Sequence, residues 1–119
     1  AGFYSSADAS YSLCVRLLSN GSLDMSFAQN GYLIEADLQN AQIVDIVIQP
    51  DDKILVCGTY SDQGQLNIFL IRYTSDGAKD VQFGQNGIAT YRLGYHSGAC
   101  GLALQNDDKI IVSGFNVSD

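Results

Sequence analysis

An all-β fold is what this chain of 119 residues predicts, and three observations carry the prediction. The chain repeats itself at an offset of 56 residues: positions 16–31 read RLLSNGSLDMSFAQNG and positions 72–87 read RYTSDGAKDVQFGQNG. Its apolar runs are about four to eight residues long, which is strand length, and no 3.6-residue apolar period lasts long enough for a helix. Polar turns built on Gly, Asp and Asn separate those runs.

A second repeated block confirms the phase, with QPDDKILVCG at 49–58 and QNDDKIIVSG at 105–114. Residues 8–63 align with 64–119, and 15 of these 56 pairs are identical, gathered in the two blocks. Elsewhere character is mostly kept, as in Val15/Ile71 and Ile46/Leu102. Self-similarity at a fixed period means one supersecondary unit repeated, each copy burying its apolar face on the next.

Within one unit, residues 43–49 (IVDIVIQ) are a short β-branched run that stops at Pro50-Asp51-Asp52. Residues 53–60 (KILVCGTY) are a second run, so the pair predicts a hairpin. A third strand is expected at 66–74, a long polar loop at 75–87 and a fourth strand at 88–93. The pattern restarts with first and second strands at 99–105 and 109–117, while a third and fourth strand stand earliest in the chain, at 11–18 and 32–38. Residues 2–6 (GFYSS) match 58–62 and echo 114–116. The first two strands of the unit are apolar on both faces, as expected of a sheet stacked between other sheets.

Four antiparallel strands in a repeating unit of roughly 50 residues is the signature of a β-propeller blade. A β-sandwich also has short strands at regular spacing, but the two-fold repetition argues against it. Residues 1–119 therefore read as a single two-blade segment, with a complete blade at 43–93 and a split one at 11–38 plus 99–117. Two stacked blades cannot close a ring, and an open pair leaves an apolar face and unpaired edges exposed. The expectation is head-to-tail closure by identical copies, the last hairpin of one chain completing the sheet begun by the next. Dimers, trimers or tetramers would give four, six or eight blades; the trimer is favoured and seven blades are excluded. The alternative is a fragment of a longer or engineered propeller, and the chain begins with Ala rather than Met.

Composition narrows the function classes. Apolar residues at 46% and charged residues at 16% are those of a globular domain. A net charge of −7 disfavours nucleic acid and anionic membranes, which need clustered Lys and Arg. No apolar run reaches membrane-spanning length and no signal-peptide pattern opens the sequence. Localisation stays open between cytoplasm and secretion. Cys14, Cys57 and Cys100 align with Leu70, Ser113 and Val44, so an odd set of small buried thiols is expected rather than a disulfide framework.

Candidate residues fall into two groups. The repeated ones are Arg16, Asp24 and Phe27 with their counterparts Arg72, Asp80 and Phe83. An Arg in an apolar strand with an Asp eight residues on suggests a hydrogen-bonded clamp for the loop, and the Phe a plug between blades. The repeated Asn20-Gly21 and Asp76-Gly77 with Asp24 and Asp80 could offer oxygens to calcium, but the spacing is not an EF-hand and backbone bonding is the favoured role. No metal and no cofactor is predicted.

The non-repeating residues lie in connections, where recognition is commonly placed. The fourth-to-first connection carries Asn40 and Gln42 in one copy and Tyr95 and His96 in the other. The second-to-third connection carries Tyr60, Asp62 and Gln63, opposite residues 5–10. Both connections should emerge at one end of the blades, around the channel mouth. His96 is the sole histidine, and no nucleophile elbow, Cys–His neighbourhood or phosphate-cradling glycine loop is present.

The blocks R-x-x-x-[ND]-G-x-x-D-x-x-F-[AG]-Q-N-G and Q-x-D-D-K-I-[LI]-V-x-G resemble the delta-60 repeats of bacterial proteins, which carry a Gly-x-Leu-Asp-x-x-Phe-Gly element followed by Gln-Pro-Asp-Gly-Lys-Ile. Both elements occur twice, the first copy holding Gly21-Ser22-Leu23-Asp24 and Gln49-Pro50-Asp51-Asp52-Lys53. The departures are Ala28 for Gly, Lys79 for Leu, Asn106 for Pro, and Asp52 and Asp108 for the turn Gly. The resemblance implies a bacterial propeller and no catalytic residues. The expected function is a non-enzymatic binding module for a protein or a carbohydrate, with aromatic Tyr60 and Tyr95 suited to either. A purely architectural piece is the alternative, and an enzyme with its site at the channel mouth a lesser one.

Overall fold

The computed structural model describes residues 2–5, 10–38 and 40–118, with side chains at all of these except 2–5 and 100. Nine strands account for the regular structure, and there is no helix among the described residues. They are β1 (Gly2–Ser5), β2 (Ser10–Val15), β3 (Tyr32–Glu35), β4 (Gln42–Ile48), β5 (Ile54–Asp62), β6 (Gln65–Tyr73), β7 (Ile88–Tyr91), β8 (His96–Leu104) and β9 (Ile110–Val117). These form three antiparallel sheets in the orders β1-β2-β3, β4-β5-β6-β7 and β8-β9. The chain is all-β, and its stacked antiparallel sheets are those of a propeller segment.

The sequence repeat is also a repeat of register. In β1–β2, Gly2 faces Leu13 and Ser5 faces Ser10; in β5–β6, Gly58 faces Phe69 and Ser61 faces Leu66. Cys14 faces Leu33 as Leu70 faces Ala89. Both first-strand hairpins bulge at the same place, between Ile43 and Asp45 and between Ala99 and Gly101. A bulge kinks and twists the first strand of each sheet at its start. Gly58, opposite that bulge, presses against Gln42 O and the Phe69 ring, leaving no room for a Cβ.

Strand β5 lies at the centre of the packing because it is buried on both faces. Ile54 and Val56 point into a cluster with Phe27, Ala41, Ile43, Phe69, Ile71 and Tyr73, between the first and second sheets. Leu55 and Cys57 point the other way, into a cluster with Leu70 and Ala99 under β8–β9. Alternation along a strand produces this two-sided burial. Strand β4 differs from the expectation of two apolar buried faces: Val44, Ile46 and Ile48 are exposed. As the edge strand of its sheet, β4 has a neighbour on one side only.

Strand ends also differ from the sequence expectation. Strand β7 stops at Tyr91, because Arg92 turns away to bond Asp62, and β3 stops at Glu35. Strand β8 begins three residues early, at His96, where pairing with Val117 extends the ladder into the expected loop. Cys14 and Cys57 are buried, and burial pushes the Cys14 thiol above its usual value. The side chain of Cys100 lies outside the described residues.

Candidate functional site

At one end of the sheets the non-repeating connections meet. The β5–β6 turn is a two-residue hairpin with Gln63 and Gly64 both at positive φ (51° and 79°), the geometry whose twist matches that of the strands. Just before it, Asp62 Oδ2 accepts from Arg92 Nη2 at 3.0 Å, and Arg92 Nε donates to Asn67 Oδ1 at 3.3 Å. Arg92 thus ties the β7–β8 connection to the β5–β6 turn. The sequence placed Arg92 in a strand and gave no sign of this bridge.

His96 and Asn40 do the same work in the two copies. The backbone N–H of Leu66 donates to His96 Nδ1 at 3.1 Å, and that of Ser10 donates to Asn40 Oδ1 at 3.3 Å. Leu66 and Ser10 are repeat counterparts, as are His96 and Asn40, so the imidazole takes the place of an amide as acceptor. Nδ1 must be the unprotonated nitrogen for this bond. His96→Asn should therefore leave stability within about 0.5 kcal/mol, whereas His96→Ala should cost about 1 kcal/mol. Urea denaturation of the two variants separates these outcomes.

The other expected residues lie nearby but are not equivalent. Tyr95 is exposed and meets the His96 ring edge-on, centroids 4.5 Å apart. Tyr60 is half-buried, packed edge-on against Phe69 at 6.3 Å, and supports the core as much as it faces solvent. Asn40 and Gln42 line a small cleft of about 230 Å³ with Ser10 and Ala41. Thr59, not singled out from the sequence, joins the units here: its Oγ1 accepts from Ala99 N at 3.1 Å. The connection at residues 6–9 lies outside the described residues. The surface so formed offers one exposed aromatic ring, side-chain amides and a paired carboxylate. That chemistry suits hydrogen bonding and stacking.

The repeated residues gather at the opposite end. Arg16 Nε donates to Asp24 Oδ2 at 2.8 Å, and Arg72 Nε to Asp80 Oδ2 at 2.8 Å. In each loop the Asp N–H donates back to the Arg carbonyl, at 3.0 Å and 2.9 Å. The guanidinium also lies over the Phe ring of its own loop, 4.6 Å above Phe27 and 4.8 Å above Phe83. Each Asp carboxylate is thereby bonded within its loop, and among the described residues no group of three or more His, Cys, Asp or Glu could hold a metal. The Arg16 guanidinium reaches further, donating to Ser75 O in the next sheet at 2.6 Å.

Hydrogen bonds set the charge state of these loops. Ser26 holds the Asp24 carboxyl below its usual 3.8, and the Thr74 hydroxyl does the same for Asp76. Burial opposes ionisation of Asp80, but bonds from Lys53, the Gln82 N–H and Arg72 outweigh it and lower its value. A carboxyl that binds its proton less readily when folded stabilises the fold above pH 3.8 and loses that contribution as pH falls through its folded value. An acid limb of instability below pH 3.8 is expected, and Asp80→Asn should flatten it in a pH series of thermal melts.

Between these two ends the first and second sheets are bolted together by a polar group that sequence reasoning missed. Glu35 is 2% exposed; its Oε2 accepts from Tyr73 Oη at 2.8 Å and from Lys79 Nζ at 2.9 Å. Burial, and then the Glu35 charge, push the Tyr73 phenol far above its ordinary value. Burial opposes the Lys79 ammonium, but bonds to Asp37 and Glu35 outweigh it and raise its value. A cleft of about 620 Å³ opens beside this contact, lined by Tyr32, Leu33 and Ile34 on one side and Asp76, Gly77 and Ala78 on the other. Of the candidate residues named from the sequence, Asp76 and Gly77 lie on its wall.

A family described as a "Domain of unknown function (DUF5122) beta-propeller" matches residues 1–27 and 49–83, together just over half of the chain. No curated protein and no solved structure matches it. The matched stretches cover the Arg–Asp–Phe loop of both copies.

Proposed function

The chain belongs to this β-propeller family, and on that premise we propose that it is a non-enzymatic binding module that closes into a ring by head-to-tail association of identical copies. A trimer of six blades is the favoured assembly, with a dimer or tetramer as the other closed forms. Its repeats are of the delta-60 type, on the strength of the twice-present Asp, Phe and Gln-x-Asp-Asp-Lys elements.

The observation that carries the reading is one of register. Sheets β1–β3 and β8–β9 together contain a counterpart of every strand of β4–β7, in pairings offset by 56 residues, with that of β5 present twice, in part as β1 and again as β9. Recognition is assigned to the end where Tyr95, His96, Asp62 and Gln63 meet, since packing constrains the repeated residues and leaves these free to differ. A protein or a carbohydrate fits the exposed Tyr95 ring and the neighbouring amides. His96 and Asp62 are engaged with Leu66 N–H and Arg92, which favours binding over acid–base chemistry.

Two measurements test this. Light scattering should give a mass three times 12.8 kDa, and a chain that stays at 12.8 kDa contradicts the ring. A glycan array and a peptide pull-down should yield a ligand whose binding is lost on Tyr95→Ala; binding that survives places the site elsewhere, and no ligand in either screen favours a purely architectural role.

A further inference from the structure

Burial is unequal between repeat partners that occupy equivalent positions. In the contact between the first and second sheets, Phe27 is 1% exposed, Ile71 0% and Tyr73 2%. One period away, Phe83 is only partly buried, Val15 is 43% exposed and Leu17 is 55% exposed. Phe83 lies in an apolar groove of about 310 Å³ between the second sheet and β8–β9, lined by Ile68, Leu70, Tyr91, Leu93, Ile110 and Val112. The groove is the counterpart of the first cluster, and no strand among the described residues stands where β6 supplies Phe69, Ile71 and Tyr73 to that cluster.

The geometry points to a second copy as its occupant: we propose that Leu13 and Val15 on β2 of one chain, with Leu17 just beyond that strand, fill the groove of the next. This rests on the ring reading and specifies which surfaces make it. Three observations support that occupant over an unrelated protein. First, the missing side chains have apolar counterparts on this same chain, at the right spacing and exposed at Val15 and Leu17.

Second, the polar bolt of the first contact is replaced on both sides of the second. Glu35 and Asp37 correspond to Tyr91 and Leu93, while Tyr73 and Lys79 correspond to Leu17 and Leu23. All four replacements are apolar or aromatic, and all are exposed. Losing the carboxylates without losing the lysine would bury an unpaired charge, but both sides have changed together.

Third, a charge pair is held open. Lys53 Nζ meets Asp80 Oδ2 at 3.2 Å within the second sheet, whereas its counterpart Lys109 has a side chain 76% exposed and meets only Asp107 among the described residues. The counterpart of Asp80 is Asp24, which no lysine reaches among the described residues. Seating β2 beside β9 in the β5–β6 register brings Lys109 of one chain to Asp24 of the next.

That register has a consequence for β1. Residues 110–113 would pair with 14–17, which β1 leaves open, but residues 114–117 would take the edge positions that β1 now occupies on residues 10–13. Strand β1 is therefore a place-holder that the neighbour's β9 displaces.

Transplanting the polar bolt tests the assignment. Sedimentation is measured for the parent, for Y91E/L93D, for L17Y/L23K and for the chain with all four changes. Each double variant should associate at least about 100-fold more weakly, because it buries charge against an apolar surface, and the four-fold variant should recover to within about tenfold of the parent. These positions are exposed in the single chain, and far-UV circular dichroism checks that each variant keeps its strands. A double variant that associates like the parent, or a four-fold variant as weak as the doubles, overturns the assignment while leaving a ring by other surfaces. A parent that remains at 12.8 kDa, both with and without residues 1–5, overturns the ring itself.

Discussion

Replacing Phe27 by alanine is expected to cost about 3–5 kcal/mol, the range for emptying a fully buried aromatic site. The ring sits at 1% exposure among Ile54, Val56, Ile71 and Tyr73, with the Arg16 guanidinium over its face. The backbone around it is fixed by Phe27 N to Asp24 O at 3.0 Å and Gly31 N to Phe27 O at 2.9 Å, so the loop cannot collapse into the void. Phe83 holds the same place in its loop, three residues after Asp80 and two before Gln85, and makes the same two loop bonds. Its ring lies in an unfilled groove, and Phe83→Ala in the single chain should cost only about 1–2 kcal/mol. Urea denaturation at a concentration where the chain is a monomer measures both, and unchanged m-values license the comparison. Equal losses would mean that the groove is already as well packed as the first cluster.

Lys79→Met should be similarly damaging, at about 3 kcal/mol, because it strands the buried Glu35 carboxylate without its cation. The Tyr73 hydroxyl and the Asp37 N–H continue to donate to that carboxylate, at 2.8 Å and 2.9 Å, but neither neutralises it. Adding Glu35→Gln to Lys79→Met should recover a large part of the loss, since the amide is uncharged, its oxygen can accept from the Asp37 N–H, and its NH2 can donate to the Tyr73 hydroxyl oxygen. A pH series provides a second check. Tyr73 and Lys79 both hold their protons more tightly in the folded chain, above ordinary values of 10.0 and 10.5. Their contribution is complete below those values and is lost as pH rises through them towards the folded ones. The parent should therefore lose stability above pH 10.0, and the Lys79→Met chain should do so less steeply. An alkaline limb of the same slope in both would show that Lys79 does not contribute to it.

The two contacts that β5 helps to build explain why one chain has two kinds of sheet interface. On one face Ile54 and Val56 are covered by Phe27 and sealed by the Glu35–Lys79 bolt. On the other face Leu55 and Cys57 are covered by Ala99, and among the described residues β8–β9 is a two-stranded sheet. Polar and apolar seals do not substitute for one another, because a carboxylate opposite leucine is desolvated without a partner.

The sequence alone was enough for much of the local structure. The order of the strands, the repeat phase and the loop that joins Arg16 to Asp24 follow from turn residues and spacing within a single unit, where chain connectivity limits the partners, whereas the ends of β3, β7 and β8 did not. The positive φ of Gly21 and Gly31 and of their counterparts Gly77 and Gly87 belongs to the same class. Contacts between residues far apart in the chain were decided by tertiary structure only: Glu35 with Lys79 is 44 residues apart, His96 with Leu66 and Arg92 with Asp62 are 30 apart each. Comparing the repeats marks Glu35 and Tyr91 as different, yet not which side chain faces either one. That depends on how two sheets stack, and stacking is set by the summed packing of many residues rather than by any stretch of sequence.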